Sequence, residues 1–194
     1  MKLNKTYWEE RYETENTGWD IGSVSSPLKA YIDQLTNKDL KILVPGAGNG
    51  YEAIYLHEQG FKNTYVVDIA AQPLASIKER YPNYPKEQLV HEDFFKVPLD
   101  NFDLVLEQTF FCALDPSLRN DYITKMTSLL KVGGKLAGLF FNFPLTKEGP
   151  PFGGSEKQYR DLICNSFDTK ILAEAYNSIT PRAGKELFFI FTKK

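Results

Sequence analysis

The sequence predicts an α/β fold in which a doubly wound, mainly parallel sheet ends in an antiparallel hairpin. Between residues 40 and 142, strand-like runs alternate with helical patterns, which is typical of parallel strands joined by helices on both faces of a sheet. The last two strand-like runs, at residues 169–176 and 186–192, are joined by a short segment without a helical pattern, so we expect them to pair antiparallel. A chain of 194 residues without a linker-like tract is expected to form one domain, residues 1–194.

Two helices are predicted before the first strand, within residues 1–36. The first covers residues 4–12, where Trp8 and Tyr12 are four positions apart and share a face. A Ser-Pro pair opens the second, whose apolar residues repeat at helical spacing. The loop between the helices carries Trp19. From position alone these aromatic residues are expected to pack in the core, and a lid over a ligand is the alternative.

The stretch from residue 40 to Asp68 predicts a βαβ unit with a ligand site at its first turn. An apolar run ends in V-P-G-A-G-N-G, a helical pattern follows, and a β-branched run ends on Asp68. Gly46, Gly48 and Gly50 let the backbone turn sharply and leave the first N–H groups of the helix free for an anionic group. An acid about 20 residues further on typically accepts hydrogen bonds from ribose hydroxyls. A structural tight turn with a surface aspartate is the alternative, and the strand–turn–helix context favours the ligand.

The remaining elements continue the alternation. A helix over residues 71–81 ends before a proline, a short strand covers 88–92, and a buried strand over 102–107 ends on an acid. An Asp-Pro pair caps a helix that extends to residue 131, and a glycine pair separates it from a strand over 135–142. A Ser-x-x-Gln capping box then opens the last helix, after a loop rich in proline and glycine.

Composition argues against several classes of protein. The formal net charge of −2 provides no basic surface for nucleic acid or anionic membrane. No stretch approaches transmembrane length and the N-terminus lacks an apolar signal region, so a cytoplasmic protein is expected. Cys112 and Cys164 have no metal-binding or redox spacing and are expected to be reduced thiols. His57 and His91 are expected to be structural, and a monomer without a metal is the expectation.

A set of motifs extends over nearly the whole chain: Y-W-E-E-R-Y, G-W-D-I-G, V-P-G-A-G-N-G, V-V-D-I, E-D-F-F, F-D-L-V-L-E-Q-T-F-F-C-A-L-D-P, G-P-P-F and T-P-R-A-G-K-E. This set resembles the thiopurine methyltransferase family of class I S-adenosylmethionine-dependent methyltransferases, and most closely its plant-type halide and thiol methyltransferases. The resemblance implies the class I methyltransferase fold, a three-layer sandwich around a seven-stranded sheet, with residues 1–36 as an N-terminal helical lid. It also implies an enzyme with S-adenosyl-L-methionine as cofactor and a small-molecule methyl acceptor.

The resemblance implies roles for individual residues. In that family, N-terminal aromatics cover the cofactor, the glycine turn contacts its methionine part, one acid holds ribose, an acid and an aromatic hold adenine, and the end of the fourth strand contacts the methionine end. The matching residues, in that order, are Trp8, Tyr12 and Trp19; Gly46 and Gly48; Asp68; Asp93 and Phe94; and Glu107 and Gln108. Tyr12 departs from the family, where a Trp is usual. Glu107 suits the cofactor's ammonium, and a sulfonium beside Trp8 or Trp19 gains about 0.5–2 kcal/mol from cation–π attraction.

Methyl transfer from a sulfonium is an in-line displacement, and a soft nucleophile such as a thiolate or halide needs little help from a general base. No catalytic base is therefore expected. The acceptor pocket is predicted at the carboxyl ends of the strands. Candidates by position are Phe110, Phe111, Asn142, Pro151, Phe152 and Arg182. Arg182 is either an anchor for an anionic acceptor or a solvated loop residue, and Asn142 stands where related halide methyltransferases carry a Tyr.

Other functions remain open at this point. The same fold and cofactor can methylate a thiopurine or another small oxygen or nitrogen acceptor. A nicotinamide- or flavin-dependent oxidoreductase uses a similar first turn, but the sequence lacks G-x-G-x-x-G and ends in a hairpin. A non-catalytic module that binds the cofactor is the third alternative.

Overall fold

The computed structural model describes residues 3–194. Seven strands form one sheet in the order β3-β2-β1-β4-β5-β7-β6. Their bounds are Ile42–Pro45 (β1), Thr64–Asp68 (β2), Leu89–His91 (β3), Phe102–Gln108 (β4), Leu130–Phe141 (β5), Phe167–Glu174 (β6) and Glu186–Lys193 (β7). Strands β1 to β5 pair in parallel, whereas β7 is antiparallel to both β5 and β6. The predicted parallel sheet with an antiparallel hairpin at its end is confirmed.

Six α-helices accompany the sheet within the described residues. Their bounds are Lys5–Glu13 (α1), Ser26–Ile32 (α2), Tyr51–Glu58 (α3), Ala71–Arg80 (α4), Arg119–Leu129 (α5) and Glu156–Ile163 (α6). The capping box of α6 forms as predicted, with Ser155 and Gln158 bonded reciprocally. Helix α2 differs slightly from the prediction, because Ser25 rather than Ser26 occupies the N-cap position, and it makes no side-chain cap.

The alternation of side chains along the strands produces two cores, one on each face of the sheet. On β4, Val105 packs into the core that also contains residues of α5 and α6, whereas its neighbour Leu106 packs into the core shared with α2, α3 and α4. Leu43 and Val44 of β1 divide in the same way. Because successive side chains of a strand point to opposite faces, this division gives the three layers of the fold.

Strand β5 begins earlier than predicted. Leu130 already pairs with Phe102 of β4, so the glycine pair lies inside the strand instead of separating it from α5. A Cβ at Gly134 would lie 2.9 Å from the carbonyl oxygen of Phe102, which is too close for any other residue. Glycine therefore permits the close approach of the two strands where their register shifts.

The parallel strands end at one edge of the sheet. Pro45, Asp68, His91 and Gln108 are the last residues of β1 to β4 and lie at this edge. The chain continues from each of them into a loop or turn, and these connections form the floor of the site described below. No helix within residues 3–194 has the length and apolar character needed to cross a bilayer.

Candidate functional site

A cavity of about 590 Å³ lies between the carboxyl ends of the strands and the N-terminal segment. Its volume is typical of small-molecule sites, which span about 300–1,000 Å³. We call it the main cavity. The residues predicted to bind the cofactor that line it are Trp8, Tyr12, Trp19, Gly46, Asp68, Asp93 and Phe94. Of the predicted acceptor residues, Phe110, Pro151 and Arg182 line it.

The glycine turn after β1 accepts no other residue at two positions. Gly46 has φ +57°, and a Cβ there would overlap the ring of Phe110. Gly50 has φ +68°, caps α3 without a side chain, and faces the side chain of Ile77, which a Cβ would overlap. The turn therefore presents bare backbone to the main cavity, and α3 begins directly behind it with its first N–H groups free of side-chain caps.

Asp68 ends β2 as a buried acid that faces the main cavity. Its Oδ1 accepts a hydrogen bond from the backbone N of Ala70 at 2.9 Å, which fixes the carboxyl group. Burial raises the pKa of Asp68 to about 6. At neutral pH the group is thus a carboxylate with acceptor capacity left for a ligand that donates hydrogen bonds.

An acid and an aromatic residue follow β3 on the same side. Oδ1 of Asp93 accepts from the backbone N of Phe95 at 3.0 Å, so the side chain stabilises the turn that presents Phe94. The Phe94 ring is buried and lies 4.9 Å from the Phe110 ring, centroid to centroid. Together with Ile69 these side chains give one end of the main cavity an apolar surface with a carboxylate at its margin.

The N-terminal aromatics form a cover over the glycine turn. The Trp19 ring contacts Trp8 and Tyr12 edge-to-face, at 5.6 Å from each. A Cβ at Gly48 would lie 3.5 Å from the Tyr12 hydroxyl and 3.7 Å from the Trp19 indole nitrogen. Tyr12 is buried, and all three residues also line the main cavity, so these aromatics pack against one another at the edge of that cavity.

Three hydrogen bonds hold the segment of Trp19 and Asp20 in place. Arg182 Nη2 donates to the Trp19 carbonyl oxygen at 2.8 Å, and its Nη1 pairs with Glu186 at 3.3 Å. The Asp20 carboxylate accepts from the Asn49 side chain of the glycine turn and from the Tyr51 hydroxyl. Arg182 is therefore held by these partners and is not a solvated loop residue. It also lines the main cavity.

A second, small cavity of about 40 Å³ adjoins the main one. Trp19, Gly46 and Thr109 line both. Gly48 and Gln108, both predicted to bind the cofactor, line the small cavity. The side-chain oxygen of Gln108 is buried and has no hydrogen-bond partner within residues 3–194. Glu52 also lines this cavity, and burial raises the pKa of its carboxyl group, whose Oε1 accepts from Ser25 N at 2.9 Å.

Glu107, predicted to bind the cofactor, lies away from both cavities. Its side chain is fully buried and lines neither cavity. Its carboxylate oxygens accept instead from the backbone N–H groups of Phe110 and Phe111 and from the Tyr122 hydroxyl. Glu107 therefore lies beneath the floor of the site, whereas Gln108, the other predicted residue at the end of β4, lines the small cavity.

Three predicted acceptor residues also lie outside the cavities. Phe111 is a core residue whose ring lies 4.7 Å from that of Phe140. Asn142 donates its backbone N–H to Lys185, and Phe152 is buried with its backbone N bonded to the Cys112 carbonyl oxygen. Besides Phe110, Pro151 and Arg182, the main cavity is lined next to the turn after β4 by residues that sequence reasoning missed or assigned to packing: Thr109, Cys112, Ala113, Leu114, Leu118, Phe141 and Pro150. Most of them belong to the turn after β4. Their position directly after a strand end is the sequence feature that could have identified them as lining residues.

The family model described as thiopurine S-methyltransferase matches residues 3–188 of the chain. The chain is 32% identical over 189 residues to thiocyanate methyltransferase 1 of Arabidopsis thaliana, covering 92% of this chain and 81% of that protein. It is 29% identical over 184 residues to probable thiol methyltransferase 2 of the same organism, with the same coverage of 92% and 81%. Among solved structures it resembles a Burkholderia thailandensis 1,6-didemethyltoxoflavin-N1-methyltransferase, with a TM-score of 0.79, 18% identity, and 98% of this chain and 87% of that chain covered.

Proposed function

The chain belongs to the thiopurine S-methyltransferase family, and from this premise we propose that it methylates a small soft nucleophile, a thiolate or a halide, by in-line displacement. It is an S-adenosylmethionine-dependent methyltransferase. The family membership leaves the oxidoreductase alternative without support. The relatives named above act, by their names, on thiols and thiocyanate, which supports a thiol-type acceptor as the first class to test.

The residues of the two cavities fit the cofactor. When bound, S-adenosylmethionine supplies a methyl group that its sulfonium makes electrophilic. We propose that Asp68 accepts hydrogen bonds from the ribose hydroxyls and that Asp93 and Phe94 hold the adenine. The orphaned Gln108 oxygen and the buried Glu52 carboxyl suit the ammonium, and the bare backbone at Gly46 and Gly48 suits the carboxylate.

The lid completes the site. Trp8, Tyr12 and Trp19 cover the glycine turn, and we propose that residues 1–36 act as the lid of a single domain, residues 1–194. Water exclusion matters here because the residues mainly align the donor and the acceptor. We propose that the enzyme is a monomer.

The single observation that favours a thiolate or halide is the chemistry of the acceptor end. We place this end beside the turn after β4, and none of the residues that line it there is His, Asp or Glu: Thr109, Phe110, Cys112, Ala113, Leu114, Leu118, Phe141, Pro150 and Pro151. Cys112 is the one titratable side chain among these residues, and burial raises the pKa of its thiol, so the thiol stays protonated and cannot accept a proton. An acceptor that reaches the site already as an anion needs no base.

An acceptor screen with methyl-labelled cofactor tests the proposal. The panel contains bisulfide, thiocyanate, iodide and an aryl thiol, together with a thiopurine, a phenol and an amine. We expect label transfer to the thiols and anions at rates well above those for the phenol and amine. Transfer restricted to oxygen or nitrogen acceptors would contradict the proposed class, and absence of transfer to every compound would favour a non-catalytic module.

The raised pKa of Asp68 predicts that cofactor affinity falls in acid. Ribose hydroxyls donate to the carboxylate but not equally to the neutral acid, so binding lowers the pKa of Asp68 from its free value of about 6. Affinity for S-adenosylhomocysteine is therefore constant above that pKa and falls below it by up to about tenfold per pH unit. Calorimetric titrations at several pH values measure this, and the Asp68→Asn variant should show a flat profile over the same range. A sloping profile in that variant would assign the effect to another group.

A further inference from the structure

Glu107 is a buried carboxylate for which the proposed chemistry has no use. It is completely shielded from solvent, next to last in β4, and within residues 3–194 it forms no salt bridge. An acid buried without a cation is costly, so its retention calls for a compensating role. Burial raises its pKa to about 7.

We define the acceptor turn as residues 109–114. The hydrogen bonds to the Glu107 carboxylate come from backbone N–H groups of this turn and from Tyr122 beside it. Oε1 accepts from the backbone N of Phe110 at 2.9 Å and of Phe111 at 3.2 Å. Oε2 accepts from the backbone N of Phe111 at 3.1 Å and from the Tyr122 hydroxyl of α5 at 3.0 Å. One side chain thus replaces the backbone partners that this turn lacks.

The acceptor turn needs such support. Thr109 has φ +54°, in the left-handed region that a β-branched residue rarely adopts, so the surrounding contacts must hold it there. Its carbonyl oxygen accepts from the Cys112 thiol at 3.3 Å. The Cys112 carbonyl oxygen in turn accepts from the backbone N of Phe152 at 2.8 Å, which connects the turn to the loop that carries the prolines of the cavity wall.

We propose that Glu107 is a positioning residue, whose ionised carboxylate holds the acceptor turn in the shape that forms the acceptor end of the main cavity. The kinetic consequence of this inference rests on the proposed function, whereas its structural consequence does not. Protonation turns one oxygen from an acceptor into a donor and leaves the N–H groups of Phe110 and Phe111 competing for the other. The site then loosens mainly at its acceptor end, while Asp68 and Asp93, which lie outside the acceptor turn, stay in place.

The groups that face Glu107 do not titrate near neutral pH. Tyr122 of α5, Tyr159 of α6 and Cys112 of the acceptor turn are the titratable groups whose charge it influences, and burial raises the pKa of each. Strand β5 presents the backbone of Gly138 to it. A transition near neutral pH in this region would therefore belong to Glu107.

The first arm of the test is structural and needs no substrate. In the nitrogen-15-labelled full chain, the amide chemical shifts of Phe110 and Phe111 should titrate together, with a midpoint near neutral pH. Glu107→Gln should remove this transition. Tyr122→Phe deletes a donor to the carboxylate and should move the midpoint to higher pH. Tyr84→Phe is the matched control, because it deletes the buried hydrogen bond of Tyr84 to Thr64 O in the other core and should move nothing.

The second arm is kinetic. Glu107→Gln should lower kcat/KM for the acceptor by about tenfold or more and change the dissociation constant of S-adenosylhomocysteine by less than about threefold. In Tyr122→Phe the acid limb of the rate profile should move with the amide midpoint. Equal losses of acceptor turnover and cofactor affinity, or amide shifts that do not titrate, would overturn the inference. Titrating amides in a chain that methylates no acceptor would contradict the proposed function and leave the positioning role standing.

Discussion

Gly46→Ala is expected to lower the affinity for S-adenosylhomocysteine by about a hundredfold, which corresponds to about 2.8 kcal/mol. The added methyl group would overlap the Phe110 ring, and that ring is already packed against Phe94. Either the turn after β1 or the ring must move, and both line the main cavity. The left-handed φ of +57° adds strain of about 1–2 kcal/mol to the folded state. Calorimetric titration measures the affinity, and thermal unfolding measures the strain.

Gly133→Ala is the control that separates the effect of backbone strain from the effect of steric overlap with a neighbouring side chain. Gly133 has φ +75°, but a Cβ there meets nothing within 4 Å, and the residue lies at the start of β5, outside both cavities. This variant should lose a similar amount of stability while it retains cofactor affinity. If both variants bind alike, the contact between Gly46 and Phe110 does not shape the site.

Asp68→Ala is expected to lower the affinity for S-adenosylhomocysteine by about tenfold to a hundredfold, because the ribose hydroxyls lose a charged acceptor in a buried position. Asp68 is only 7% exposed, so water replaces the lost carboxylate poorly. Calorimetric titration at neutral pH measures the change. Asp33→Ala removes the same charge from an exposed ion pair with Lys29 and should leave affinity unchanged. Equal affinity of Asp68→Ala and the unmodified protein would mean that the ribose binds elsewhere.

The features of the fold that were predicted correctly have local causes. The apolar run before Gly46, the helical pattern after it and the acid at the end of β2 all lie within a short stretch, so periodicity and turn chemistry identify them. The early start of β5 was missed because it depends on the pairing of Leu130 with Phe102, far away in sequence. From local sequence alone, a glycine pair indicates a break between a helix and a strand. The pairing with the neighbouring strand is what shows that this pair lies within the sheet.

The site was predictable where residues end neighbouring strands, and less so elsewhere. Asp68 and the glycine turn line the main cavity because parallel strands end at one edge. Glu107 and Gln108 were both predicted at the site, but of the two Gln108 alone lines a cavity, because adjacent residues of β4 face opposite sides of the sheet. The motif does not reveal which side faces the cavities. The positions of Asn142 and Phe152 depend on the path of an irregular loop, which has no periodicity to read.

A crystal structure of the complex with S-adenosylhomocysteine tests the account most directly. The account predicts the ribose hydroxyls within hydrogen-bonding distance of the Asp68 carboxylate, the adenine beside Asp93 and Phe94, and the amino-acid end in the small cavity near Gln108. Trp19 should close over the ligand. An adenosine bound outside the main cavity, or a ribose turned away from Asp68, would contradict it.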